Sequence, residues 1–176
     1  MNEVLTAMRD RRSCRQFKDQ MPAAAADLDS IVEAGLYAAS GMDRQSTIVL
    51  KVTNKDLRDR LSAMNAAIMG KGPDFDPFYG APAILVVLAD KTVPTHVYDG
   101  SLTMGNMMVA AESLGLASIW VHRAKEEFDS PEGKKILADL GVEGDYEGIG
   151  HCAVGYWGAE KPEAPARREG RVFCAE

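Results

Sequence analysis

Along the chain, segments whose apolar residues recur every three or four positions alternate with segments that are β-branched or continuously apolar. Asn2 caps a first predicted helix that carries Val4, Leu5 and Met8 on one face, with Arg9 and Arg11 in its last turn. Met21-Pro22-Ala23-Ala24 leads into a second helix. It starts at Asp27 or Asp29, repeats Leu28, Ile31, Val32, Gly35 and Leu36, and stops at Ser40-Gly41. Thr47 to Thr53 reads as a strand, and Asn54 then caps a third helix from Lys55 to Met69. Gly70 to Pro82 is a long loop rich in Gly, Pro and Asp, with Phe75, Phe78 and Tyr79 set among them.

Ala83 to Ala89 is apolar without interruption, which predicts a central strand covered on both faces. Asp99 can cap a helix from Ser101 to Leu114. Its apolar residues run nearly all round, so it is expected to lie buried, and Gly115 ends it. A strand at Ala117 to His122 follows, then a helix opened by Ser130-Pro131-Glu132 and closed by Gly141. Ile149 to Trp157 is the last predicted strand, and a polar tail with Pro162 and Pro165 runs on from Gly158. The pattern indicates one domain over residues 1–176, an α+β or α/β sandwich around a very apolar helix.

Charge changes this picture in one place. The chain is acidic, with 26 Asp+Glu against 20 Lys+Arg, which argues against a general nucleic-acid binder. Yet Arg9, Arg11, Arg12 and Arg15 crowd around Ser13, and Arg167, Arg168 and Arg171 gather near the other end. Cations at a helix C-terminus complement its dipole, which accounts for Arg9 and for Arg11 in part. Arg15 lies beyond the helix, and arginine forks beside a serine hydroxyl also match phosphate oxygens. On composition the two readings stand level.

Other chemistry is thin. Gly148 to Ala153 fits G-x-G-x-x-A, but the glycines run into a strand with no following helix, so the dinucleotide reading fails. Glycines there permit close packing or close approach of the backbone to a ligand. His96, His122 and His151 share no metal spacing, and no metal is expected. Cys14, Cys152 and Cys174 are odd in number and far apart, which fits free thiols in a reducing cytosol. No run is long enough to span a bilayer, and no secretory signal opens the chain.

Taken in order, these segments resemble the flavin-dependent nitroreductase family over almost the whole chain. Arg11 to Phe17 (RRSCRQF) is similar to its opening R-x-S-x-[RK]-x-[FY]. Gly105 to Trp120 is similar to its central helix and following strand, and GIGHCAVGYW with PARREGRV to its last strand and basic tail. The resemblance implies a three-layer α/β/α sandwich with a central mixed sheet and a buried apolar helix. It also implies a homodimer with FMN at the subunit interface and NAD(P)H as reductant. Arg11, Arg12, Ser13 and Arg15 are then expected at the FMN phosphate and flavin edge, with Arg167, Arg168 and Arg171 completing the phosphate site.

Ser40 to Gln45 (SGMDRQ) takes the place of a family P-S-x-x-N-x-Q segment that meets the flavin of the other subunit. Ser40, Gly41, Asp43 and Gln45 are therefore included. Ala39 stands for the proline and Asp43 for the asparagine, and an ionised aspartate cannot donate. Asn65 occupies a flavin-contacting position, and Trp120, Val121, His122 and Arg123 would pass the flavin's central ring. The implied reaction carries hydride from the nicotinamide through FMN to a nitroaromatic, a quinone or a similar acceptor, in two alternating half-reactions with no catalytic side chain. A rival reading keeps the fold but changes the reaction, for example to dehalogenation, enoate reduction or flavin fragmentation. On the residues alone, a non-catalytic sensor of a phosphorylated ligand, or a protein whose terminal arginines grip an acidic partner, stays open.

Overall fold

The computed structural model describes residues 1–22 and 25–175. Ala23 and Ala24, part of the expected approach to the second helix, lie outside the described residues. The elements run α1 (Glu3–Asp10), α2 (Ala25–Leu36), β1 (Thr47–Val52), α3 (Lys55–Ile68), β2 (Ala83–Asp90), α4 (His96–Ser113), β3 (Ala117–Val121), α5 (Ala124–Asp129), α6 (Pro131–Asp139) and β4 (Tyr146–Gly155). The capping chemistry sets several of these boundaries. Asn2 accepts from the Leu5 amide, Asn54 from the Leu57 amide and Ser130 from the Gly133 amide, with Pro131 at the first helical position.

Among the described residues the strands form one sheet in the order β1-β2-β4-β3, antiparallel at every junction. The parallel component of the expected mixed sheet is a single bridge, Ser13 to Ser118, on the outer edge of β3. β2 is central and buried along nearly its whole length. Because strand side chains alternate, Ile84, Val86 and Leu88 face one core with Leu61, Phe78, Phe128 and Ile136. Leu85 and Val87 face the other core with Leu28, Ile31, Met104 and Met107. Helices therefore cover both faces and give the expected three layers.

Helix α4 differs from expectation in ways that matter for the site. α4 begins at His96, five residues before the predicted start, and Asp99 lies inside its first turn rather than at its cap. One face of α4 is buried (Thr103, Met104, Met107, Ala111), but Tyr98 and Leu102 on another face are exposed. The apolar stripe of α1 likewise faces outward, with Val4, Leu5 and Met8 each about half exposed or more and only Ala7 buried. α5 has no counterpart in the sequence reading, because its six residues are too few to show a helical period.

Candidate functional site

The N-terminal arginines reach the sheet along an edge strand. After α1 the chain runs beside β3, where the Cys14 amide donates to Ser118 O at 3.0 Å. Ser118 therefore directs its backbone groups away from β4. Alternation turns the backbone groups of Trp120 and the N–H of His122 toward the same open edge.

Two clefts flank this segment. The first, about 670 Å³, brings Arg9, Arg11, Arg12 and Ser13 together with Ala164, Pro165 and Arg167. Its cations are not all equivalent. Arg12 Nη1 donates to the carbonyls of Arg9 (2.7 Å) and Arg11 (2.5 Å), so part of this side chain closes the C-terminus of α1. Arg12 Nε and Arg11 Nη1 are buried with no hydrogen-bond partner among the described residues. Arg167 folds onto Pro165 O through Nε and Nη2 and stays exposed. Buried guanidinium N–H groups without an acceptor cost free energy unless an acceptor arrives.

The second cleft, about 280 Å³, is lined by Arg15, Asn65, Phe75, Pro77, Tyr79 and the run Ile119 to Arg123. Asn65 is fully buried. Its amide donates to His122 O at 2.8 Å, and its Oδ1 has no partner among the described residues. The Trp120 indole N–H is also buried and has no partner among the described residues. The aromatic loop forms one wall, pinned by Asp76, which accepts from Arg58, Ser62 and the Phe78 and Gly80 amides. Burial works to raise the Asp76 carboxyl, but these bonds outweigh it and hold it below the usual carboxylate range. Phe75 and Tyr79 reach the cleft, whereas Phe78 is fully buried in the core.

Ser40, Gly41, Asp43 and Gln45 lie elsewhere on the same chain. Ser40 Oγ accepts from the Gln45 amide at 3.0 Å, and Gln45 Nε2 donates to Asp43 Oδ1 at 3.3 Å. Asp99 anchors the segment by accepting from the Gly41 amide (3.0 Å), Ser46 (2.8 Å) and Thr95 (3.1 Å). Burial pushes the Asp99 carboxyl up, but these donors more than offset it and hold it below the usual carboxylate range. Asp43 and Gln45 border a third cleft against α2, separate from the two arginine-bearing clefts. Arg168 and Arg171 are exposed on the tail and line neither of those two clefts.

Backbone strain marks these places. Among the described residues, non-glycine positive φ occurs at Met42, Asp43, Gln45, Tyr79 and Arg123. Every one falls in the Ser40–Gln45 segment or on the second cleft. Such conformations cost about 1–3 kcal/mol each and collect where function over-determines them.

Cys14 and Cys152 are buried and poorly suited to act as nucleophiles. Burial pushes the Cys14 thiol up and drives that of Cys152 to about 12, even with Arg11 nearby pulling the other way. No group of three His, Cys, Asp or Glu side chains that could hold a metal occurs among the described residues. The Gly148 to Ala153 stretch is strand β4, so its glycines serve packing rather than a dinucleotide turn. The site feature that the sequence did not disclose is the fully buried Glu127–His151 pair behind the second cleft, at 2.7 Å. Its members come from α5 and β4, and no spacing signal joins them.

In this α/β/α sandwich, arginine N–H groups without a partner among the described residues lie near an aromatic-walled cleft. Its class follows from comparison: the sequence profile of the nitroreductase family matches residues 8–156, and the chain belongs to that family. It is similar to a nitroreductase with bound FMN from Bacteroides fragilis, with 30% identity, a TM-score of 0.88 and the full length of both chains covered. It is also similar to an FMN reductase [NAD(P)H] from Bacillus subtilis, 29% identical over 141 residues. That match takes in 68% of this chain and 53% of the relative, so the chain spans about half the length of that protein. An FMN-bound iodotyrosine deiodinase shares the fold, with a TM-score of 0.72 at 20% identity.

Proposed function

We propose that this chain is an FMN-dependent oxidoreductase, one domain over its whole length, that takes reducing equivalents from NAD(P)H. The carrying observation is the convergence of Arg11, Arg12 and Ser13 with Arg167 in one cleft, with guanidinium N–H groups buried and unpartnered. The residues present suit FMN. Arg11, Arg12, Ser13 and Arg167 would hold its phosphate, while Arg15, Asn65 and the Trp120–Arg123 edge would line its ring. Asn65 Oδ1 is a vacant acceptor for a ring or ribityl donor, and the outward His122 N–H is a donor for a ring acceptor. Bound there, FMN would supply two-electron hydride chemistry between NAD(P)H and a nitroaromatic, quinone or similar small molecule. The arginines supply positive charge that favours the more anionic reduced state. Phe75, Pro77 and Tyr79 limit which acceptors stack on the exposed ring.

Two copies complete the site. The outward stripe of Tyr98, Leu102, Gly105 and Val109 on α4, beside the exposed apolar face of α1, suits burial against a second chain. The second chain then carries Ser40, Gly41, Asp43 and Gln45 to the ring. Sedimentation equilibrium is expected to give twice the chain mass of 19.1 kDa, and Leu102→Asp to reduce it to one. A wild-type mass of 19.1 kDa sinks the dimer.

The function itself is tested by colour. The purified protein, reconstituted with FMN, is expected to be yellow and to bleach anaerobically on addition of NADH or NADPH. A reconstituted protein that neither nicotinamide bleaches contradicts the oxidoreductase reading.

A further inference from the structure

His151 and Glu127 are both fully buried, and the flavin reading above leaves them without a task. His151 Nε2 lies 2.7 Å from Glu127 Oε2, and Nδ1 lies 3.4 Å from Val121 O. The imidazole also packs on Phe78, ring centroids 5.1 Å apart and planes at 51°. The pair thus touches three supports of the ring cleft. Val121 ends the backbone edge, Phe78 sits between the lining residues Pro77 and Tyr79, and Glu127 belongs to α5, which starts directly after Arg123.

The proton count is constrained. A nitrogen facing a carbonyl oxygen has to donate, so Nδ1 keeps its hydrogen. One further proton lies between Nε2 and Oε2, and on either atom it leaves the pair without net charge. Such a unit can sit behind the cleft without adding a bare charge to it.

The peptide joining Val121 to His122 supplies the consequence. It is trans and planar, so its C=O and N–H point opposite ways. Val121 O faces inward to His151, and the His122 N–H is thereby aimed outward into the cleft. Asn65 holds the next carbonyl, that of His122, through its side-chain amide.

We propose that His151 and Glu127 are a positioning pair that holds the His122 N–H, and with it the ring-facing edge of β3, in the orientation the flavin needs. The proposal rests on the flavin reading for its purpose, but its mechanical part stands apart from it. Three proteins test it: wild type, the double variant Glu127→Leu with His151→Leu, and Glu127→Gln. Replacing both buried partners by apolar groups costs little stability, so the double variant is expected to fold. In the flavin-free proteins, exchange of the Val121 amide, which the β3–β4 ladder sets opposite His151, is expected to rise about tenfold in the double variant and to stay near wild type in Glu127→Gln, which still donates to Nε2. FMN affinity, read by quenching of flavin fluorescence, is expected to weaken about tenfold in the double variant and stay within about twofold in Glu127→Gln. Wild-type exchange and FMN affinity in the folded double variant overturn the proposal. A tenfold rise in exchange in Glu127→Gln overturns it too, whether or not the double variant folds. If wild type binds no FMN, the flavin reading fails while the exchange comparison still decides the positioning claim.

Discussion

Replacing Arg11 and Arg167 together by alanine is expected to weaken FMN binding about a hundredfold while leaving riboflavin binding unchanged. The magnitude follows from hydrogen bonds to charged groups, worth about 1.5–3 kcal/mol each, and from tenfold in affinity per about 1.4 kcal/mol. Arg11 is chosen over Arg12 because their environments differ. Arg12 spends Nη1 on the carbonyls that end α1, so its loss also disturbs that helix end. Arg11 Nη1 is buried and unpartnered among the described residues, and so is free for a ligand. Titration by flavin fluorescence separates the effects. Equal weakening toward riboflavin would mean that the arginines shape the cleft rather than bind the phosphate.

The second large effect falls on the fold. A Cβ added at Gly148 would stand 2.2 Å from Ala124 O and 2.3 Å from Ala124 C. Both are backbone atoms of the first turn of α5, which no rotamer change can move aside. Gly148→Ala is therefore expected to cost about 3 kcal/mol, in the range of overpacked interiors. For a chain of this size that lowers the melting temperature by about 6–12 °C. The displacement should also reach Arg123, which precedes α5 in a left-handed conformation, so flavin binding falls with stability. A variant that melts with the wild type would show that α5 has room to retreat.

Much of the scaffold was legible because its signals are local. Asn2, Asn54 and Ser130-Pro131 announce helix starts through their own side chains, and the unbroken apolar run of β2 can only suit a strand covered on both faces. The arginine clusters were legible as chemistry but not as geometry. Only the fold separates Arg167, which joins the cleft, from Arg168 and Arg171, which do not. Asp99 looked like a helix cap because a cap needs a short acceptor near an apolar run. Two of its three partners, Gly41 and Ser46, are more than fifty residues away.

The outward stripe of α4 misled in the opposite direction. Periodicity shows that a face will be buried, but not whether the same chain buries it. Glu127 and His151 carried no signal at all. A carboxylate on a six-residue helix and a histidine within a strand become a pair only after α5 packs against β4.

The central claim is that the two ends of the chain meet to hold a phosphate attached to a flavin. It is tested most directly by comparing the wild-type protein's affinity for FMN with that for riboflavin, which differs by that phosphate alone. FMN is expected to bind at least about a hundredfold more tightly, by the charged-bond arithmetic above. Equal affinity for the two flavins would contradict the account.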